Sequence, residues 1–219
     1  MLPDGLDLDA VAALANYQVA YHLLHSATRG FRFESILVQA AAGGVGSAAV
    51  QLARAAGKRV IALVGTNEKA KFALEQGASA AINYREGGVD ERILAATGGT
   101  GVDLILDSVA GPGFPKLFDY LAPLGLVVLY GQLQGPPPPD LLPAMRKHFG
   151  KSLGLRLFSM HAFDDDPGMR RNATVALLDM LRDGTIRPAI HARLPLGEAA
   201  RAHALLESGA VLGKLLLKP

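Results

Sequence analysis

ILVQAAAGGVGSAAVQLARAAG, residues 36–57, changes character twice along its length. An apolar run, Ile36-Leu37-Val38, gives way to a turn of small residues, Ala40-Ala41-Ala42-Gly43-Gly44-Val45-Gly46. A helical period follows, with Val45, Ala49, Leu52, Ala53 and Ala56 on one face, and Gly57 stands where such a helix ends. Strand, glycine turn and helix in that order form a cradle for a pyrophosphate. The first N–H groups of a helix lack partners and carry partial positive charge, so they attract an anion. Glycines let the anion come close and let the helix pack tightly on its strand. Against the dinucleotide pattern G-x-G-x-x-G the turn reads Ala41-x-Gly43-x-x-Gly46, one glycine short. A glycine-rich turn alone is also an ordinary structural feature of α/β proteins; the strand before it and the helix after it are what point to a dinucleotide.

Outward from this unit the pattern repeats. Val60–Val64, Ala80–Asn83, Val102–Leu106, Leu126–Tyr130 and Leu153–Phe158 are short apolar runs of the kind buried in parallel sheets. Asn67–Gln76, Val89–Ala96, Phe114–Leu121 and Leu141–Phe149 read as the helices between them. A helix from Asp9 to about Ser26, capped by Asp9, precedes the first strand, and residues 1–8, with Pro3, Asp4 and Gly5, read as a loop. Six strands alternating with helices predict an α/β fold, a doubly wound, mostly parallel six-stranded Rossmann sheet with a C-terminal appendage. Such sheets bind ligands beyond the carboxyl ends of their strands. The turns Ala40–Gly46, Gly65–Lys69, Ser108–Gly111 and Gly131–Leu133 are therefore expected around one crevice. Pro136–Pro139 makes a stiff extended loop. After a helix over Met169–Arg182, the chain reads as extended at Ile186–Leu194, helical at Gly197–Glu207 and extended again at Gly213–Leu217. The expected division is a dinucleotide-binding domain over 1–185 and a separate segment over 186–219.

Composition removes several classes of function. Of 219 residues, 50% are apolar and 19% charged, which supports a sizeable core and excludes wholesale disorder. The net charge is +2 and no basic cluster interleaves with aromatics, so nucleic acid is not an expected partner. No apolar run reaches the ~18 residues of a membrane span, and MLPDGLDLD is no signal peptide; a cytoplasmic location is the default. The absence of cysteine excludes disulfides, thiolate nucleophiles and Cys-ligated zinc. His22 and His25 lie three apart with no third ligand nearby, and Asp164-Asp165-Asp166-Pro167 reads as a solvated loop and helix cap. No metal site is expected.

The cofactor can be narrowed further. An NAD site places an acidic residue near the end of the second strand, about 20 residues past the glycines, to hold the ribose hydroxyls. Here that position is Val64-Gly65-Thr66, and Glu68 is followed by Lys69 and Lys71. A missing carboxylate with a lysine beside it suits a 2′-phosphate, so NADPH is favoured over NADH, unless both lysines merely face solvent. There is no G-x-x-x-x-G-K-[ST], which excludes P-loop chemistry, and no Tyr-x-x-x-Lys, which a short-chain dehydrogenase needs. A methyltransferase using S-adenosylmethionine would want an acid after the second strand.

AAAGGVGSAAVQLARAAG, GTNEKAKFALEQGA, AINYRE, ATGGTGVDLILDSVAG and LGEAARAHALLESGAVLGKLLLKP follow in that order between residues 40 and 219. They resemble the medium-chain dehydrogenase/reductase superfamily, in its zinc-free quinone oxidoreductase (zeta-crystallin-like) branch. The resemblance implies NADPH-dependent reduction of a quinone or enone by hydride transfer, in a homodimer. It implies pyrophosphate contacts at Ala42, Gly43, Gly44 and Val45 with Gly46 closing the turn, and 2′-phosphate contacts at Gly65, Lys69 and Tyr84. Nicotinamide contacts are implied at Tyr130, Gly131, Gln132 and along Leu155, Arg156 and Leu157. Val19 stands where many relatives place threonine beside the nicotinamide. Family members begin with a GroES-like catalytic domain, and this chain begins where that domain ends, which leaves the catalytic residues unassigned. An enoyl reductase unit of a polyketide or fatty-acid synthase, sharing AGGVG and a lysine after the second strand, is the second enzyme reading; a dinucleotide-binding module without catalysis is the third. In a family member the final segment packs on the catalytic domain. Ile186, Ile190, Leu194, Leu212, Leu215, Leu216 and Leu217 are thus expected to lack cover and to drive self-association, unless the tail folds back on its own domain.

Overall fold

A computed structural model describes residues 7–219; the loop predicted around Pro3, Asp4 and Gly5 lies outside the described residues. The chain opens with α1 (Leu8–His25). Its cap is Asp7, whose carboxylate accepts the Asp9 N–H at 2.9 Å, rather than the predicted Asp9. The Asp9 carboxylate is engaged elsewhere, by Arg193 and Lys218. β1 (Ser35–Gln39), α2 (Gly44–Ala55), β2 (Arg59–Val64), α3 (Asn67–Glu75), β3 (Ala80–Asn83), α4 (Val89–Ala96) and β4 (Val102–Asp107) follow, each where the apolar pattern puts it. β5 (Leu121–Leu129), α5 (Leu142–Arg146) and β6 (Gly154–Leu157) complete a sheet in the order β3-β2-β1-β4-β5-β6, with every neighbouring pair parallel. The order reverses between β1 and β4, the point where such sheets open a crevice.

Alternation along the strands divides the core in two. Ile36, Val38, Val60, Ala62, Leu104, Leu106 and Val128 face one layer, where Leu23 of α1 and Ala49 and Leu52 of α2 pack. Leu37, Ile61, Leu63, Ile105, Val127 and Leu129 face the other, against Ile93 of α4 and the Phe114–Phe118 pair. Burial on both faces is why these strands read as continuous apolar runs.

Two helices depart from expectation. Phe114–Tyr120 is a 3-10 helix, and Leu121 already opens β5, which shifts register against β4 between Val102 and Leu104, with Leu124 at φ 64° just beyond. The helix expected over Leu141–Phe149 stops at Arg146; Phe149–Lys151 is a 3-10 turn, and Phe149 is exposed, so no core holds a longer helix there.

α6 (Pro167–Arg182) leads into the tail, made of β7 (Ile190–Pro195), α7 (Ala199–Glu207) and β8 (Lys214–Lys218). β7 and β8 pair parallel in their own two-stranded sheet. Much of this segment is covered, against the expectation that it lacks a surface. Ile186 is fully buried in the core layer of α1 and α2, and Leu194, Leu215 and Leu216 are buried too, whereas Leu217 is exposed. Gln51 of α2 explains the anchoring: its carbonyl accepts the Arg187 N–H at 2.8 Å and its amide donates to the Arg187 carbonyl at 2.9 Å.

Candidate functional site

At the end of β1, Ala40 takes the left-handed conformation (φ 49°) and its carbonyl accepts the Gly43 N–H at 2.9 Å. This tight reversal delivers the chain into α2. A Cβ on Gly46 would lie 2.3 Å from the Ala40 carbonyl oxygen, and one on Gly44 would lie 1.9 Å from Nδ2 of Asn16 on α1. Gly46 is therefore needed for the helix to sit this close to the turn, and a side chain at Gly44 would displace the Asn16 amide. No side chain caps α2, and Ser47 is its first residue to bond backward, to the Gly43 carbonyl at 2.8 Å. The N–H groups of Gly44, Val45 and Gly46 have no acceptor among the described residues. A helix N-terminus left open at a switch point is an anion site.

Beneath the turn, Asp107 is wholly buried at the end of β4. It accepts hydrogen bonds from Gln39 Nε2 (2.7 Å), Val109 N–H (2.9 Å) and Ala110 N–H (3.0 Å). Burial raises its pKa, and the two backbone bonds oppose that shift. The carboxylate thus ties β1 to the loop after β4, which bounds the crevice. Sequence reading passed over Asp107, although an acid closing an apolar strand just before Ser108-Val109-Ala110-Gly111 is a visible signal.

At the end of β2 the Thr66 hydroxyl caps α3 by accepting the Lys69 N–H at 3.2 Å. A Cβ on Gly65 would lie 2.7 Å from the Tyr84 hydroxyl, so Tyr84 lies directly over Gly65. Gly65, Lys69 and Tyr84 line one crevice of about 580 Å³ together with Ala42, Gly43 and Gly44. No carboxylate stands at Val64-Gly65-Thr66, and Lys69 enters no ion pair among the described residues. Lys71 is exposed and outside the lining.

The crevice continues past the glycine turn toward β5 and β6. Val45, Gly46, Tyr130, Gly131 and Gln132 line this half with Val19 from α1, and Leu157 lines its far end. Burial pushes the Tyr130 phenol up to about 12, with Ser108 pulling the other way, so it stays protonated at neutral pH. Two predicted contacts lie outside the lining. Leu155 sits one pleat below Leu157 among the residues of α5, and Arg156, on the opposite face, donates to the Ala27 carbonyl. The tail supplies lining that sequence reading did not foresee: Leu206, Gly209, Val211 and Gly213 border the crevice, and the Gly213 N–H donates to the Ala42 carbonyl at 2.8 Å.

Residues 44–165 match the family described as zinc-binding dehydrogenase. Over 219 residues the chain is 34% identical to the quinone oxidoreductase of Pseudomonas aeruginosa, covering 100% of this chain and 67% of that protein. The chain belongs to the zinc-binding dehydrogenase family. Among solved structures, this family member superposes on Escherichia coli quinone oxidoreductase complexed with NADPH with a TM-score of 0.90 at 33% identity, over 100% of this chain and 68% of the other. It is also 30% identical, over 99% of its length, to a segment forming 8% of a highly reducing polyketide synthase of Emericella nidulans. The zinc in the family's description finds no donor set here: the chain has no cysteine, and among the described residues no three His, Asp or Glu side chains gather. His22 stacks on Phe163 at 4.5 Å and bonds Ser26 through Nδ1, His25 lies 4.2 Å from the Tyr21 ring, and Asp166 caps α6 while Asp164 pairs with His161 and Arg170.

Proposed function

We propose that this chain is the cofactor-binding part of an NADPH-dependent reductase of quinones or conjugated enones. The observation that carries the reading is the open N-terminus of α2 at the switch point, with Lys69 and no carboxylate at the end of β2. The N–H groups of Gly44, Val45 and Gly46 fit a pyrophosphate, with Ala42 and Gly43 forming the floor of the approach. Gly65, Lys69 and Tyr84 fit the 2′-phosphate, since a lysine ammonium attracts it and no carboxylate repels it. Tyr130, Gly131, Gln132 and Leu157 border the nicotinamide end, and Val19 offers an apolar face where a threonine would offer a hydroxyl. When bound, NADPH supplies the hydride that the substrate accepts. The chain's own residues fix the two phosphate positions and keep a neutral phenol beside the reacting end.

In this reading residues 1–185 form the nucleotide domain, and 186–219, anchored to it at Ile186, also offer a face to a catalytic domain. A homodimer forms through the free edge of β6, the sheet's outer strand, where Leu157 is 73% exposed. The protein works in the cytoplasm. The second reading, an enoyl reductase unit, is favoured by the polyketide synthase match. Turnover of enoyl thioesters but not quinones selects it, and binding without turnover of either selects a non-catalytic module.

The test is a fluorescence titration of the chain with NADPH and with NADH. NADPH is expected to bind more tightly, and Lys69→Ala to narrow the gap. A charge-assisted contact contributes roughly 1.5–3 kcal/mol, about tenfold to a hundredfold in affinity. Equal affinities in the unaltered protein overturn the phosphate assignment.

A further inference from the structure

Just past β6, Phe158, Ser159 and Met160 line the far end of the crevice beside Val19 and Gln132. A single 3-10 turn, Met160–Phe163, follows, and none of its residues is buried. One exposed turn of this kind is not fixed by its own packing. Its position is set from the side. Arg170 of α6 donates through Nη2 to the Met160 carbonyl at 3.3 Å and pairs with Asp164 just beyond the turn. Phe163 stacks on the His22 ring of α1 with centroids 4.5 Å apart, and its own ring lies 6.1 Å from that of Phe158. α6 is tied to α1 at the same level. The Gln18 amide donates to the Thr174 hydroxyl, which donates to the Arg170 carbonyl, both at 2.8 Å.

Two atoms of this cluster work against the fold. His22 is 1% exposed, and its Nε2 and the Arg170 Nε are buried without a partner among the described residues. Unpaired buried polar atoms lower stability, so apolar side chains of similar size would serve packing better. What the polar pair adds is direction, because a planar guanidinium holds its acceptors in a fixed fork. Burial, and then the His25 and Arg170 charges, hold the His22 pKa below the usual histidine range, which keeps the ring neutral beside that guanidinium. Neither side chain lines the crevice.

We propose that Arg170 and His22 are positioning residues for the nicotinamide end: they hold the turn after β6 so that Phe158–Met160 wall the ring. This rests on the proposed placement of nicotinamide at that end and extends it to residues that touch only the wall.

The test compares NADPH with its fragment 2′-phospho-ADP-ribose, which lacks the nicotinamide. Arg170→Met keeps an apolar stem and removes the fork. Calorimetric titration of the full chain is expected to show NADPH affinity falling about threefold to tenfold, as loss of one hydrogen bond does, with the fragment's affinity within about twofold of the unaltered protein. His22→Leu, which fills the space but ends the stack on Phe163, is expected to show the same split. Arg171→Met, one position on and exposed, is expected to change neither affinity. If both affinities fall alike, or neither falls, the role of the altered residue is overturned while the phosphate sites stand. If the unaltered chain binds the fragment as tightly as NADPH, there is no walled nicotinamide and the inference is overturned on that ground. Failure of the unaltered chain to bind NADPH would remove the proposed function and this inference together. Should Arg170→Met not fold, His22→Leu decides alone, since it also removes an unpaired buried atom.

Discussion

Gly43 and Gly46 stand three positions apart in the same turn, and different forces keep each of them small. At Gly46 a Cβ would meet the Ala40 carbonyl oxygen at 2.3 Å, a backbone atom that cannot step aside. Gly46→Ala is therefore expected to lower stability by roughly 1–3 kcal/mol, as overpacking does. Gly43 has φ −78°, ordinary for any residue, and its Cβ would lie 3.3 Å from the same oxygen. Gly43→Val is expected to fold nearly as well as the parent but to lose NADPH binding, because Gly43 lines the crevice beside the open helix end and a branched side chain there would take up the ligand's space. Thermal unfolding and titration of both variants separate the two causes; a Gly43→Val protein that binds NADPH normally places the site elsewhere. That Gly43 and Lys69 would lie along one crevice was legible in the sequence, because their position relative to the strands suffices. Asp107 could be seen as an acid closing a strand, but its tie to Gln39 could not, because that partner lies on another strand that only the fold brings alongside.

Elements were legible wherever burial alone decides them, as in the apolar strands β1, β2 and β4. Where a neighbour decides, the sequence was silent. The apolar residues of the tail show that it must be covered but not by what, and the answer at Ile186 is the core layer of α1 and α2. The same ignorance of neighbours made α5 too long and turned the 3-10 segment Phe114–Tyr120 into an ordinary helix. Removing residues 186–219 would take a fully buried isoleucine from the core and leave Gln51 without its Arg187 partner. Loss of one such side chain already costs roughly 2–5 kcal/mol. The shortened chain is expected to unfold at markedly lower urea concentration and to aggregate in sedimentation experiments. A shortened chain that is as stable as the parent and monodisperse would show the tail to be an accessory.

At the scale of the molecule, alternation of strand and helix was enough to predict the doubly wound sheet, and the turns after β1, β2, β4 and β5 do meet along one crevice. The tail's share in that crevice was hidden, since nothing local in SGAVLG marks it as a wall for residues more than a hundred positions earlier. The chain spans about two thirds of the length of the quinone oxidoreductases it matches. One contact bears on connectivity. Asp9, in the first turn of α1, is held by Lys218 at the end of β8 and by Arg193 of β7. The path of the backbone is therefore almost a closed ring, and the place where the ring is cut is a matter of bookkeeping. Joining the two ends through a short flexible linker and opening the ring between Gly98 and Gly99 would create a circular permutant. Those glycines lie in a turn at the amino ends of the strands, away from the crevice, with open space around both. Such exposed turns tolerate new ends. The permuted chain is expected to fold and to keep its preference for NADPH over NADH, read by circular dichroism and the same titration; a permutant that fails to fold would show that the order of the elements along the chain matters as much as the contacts that close the ring.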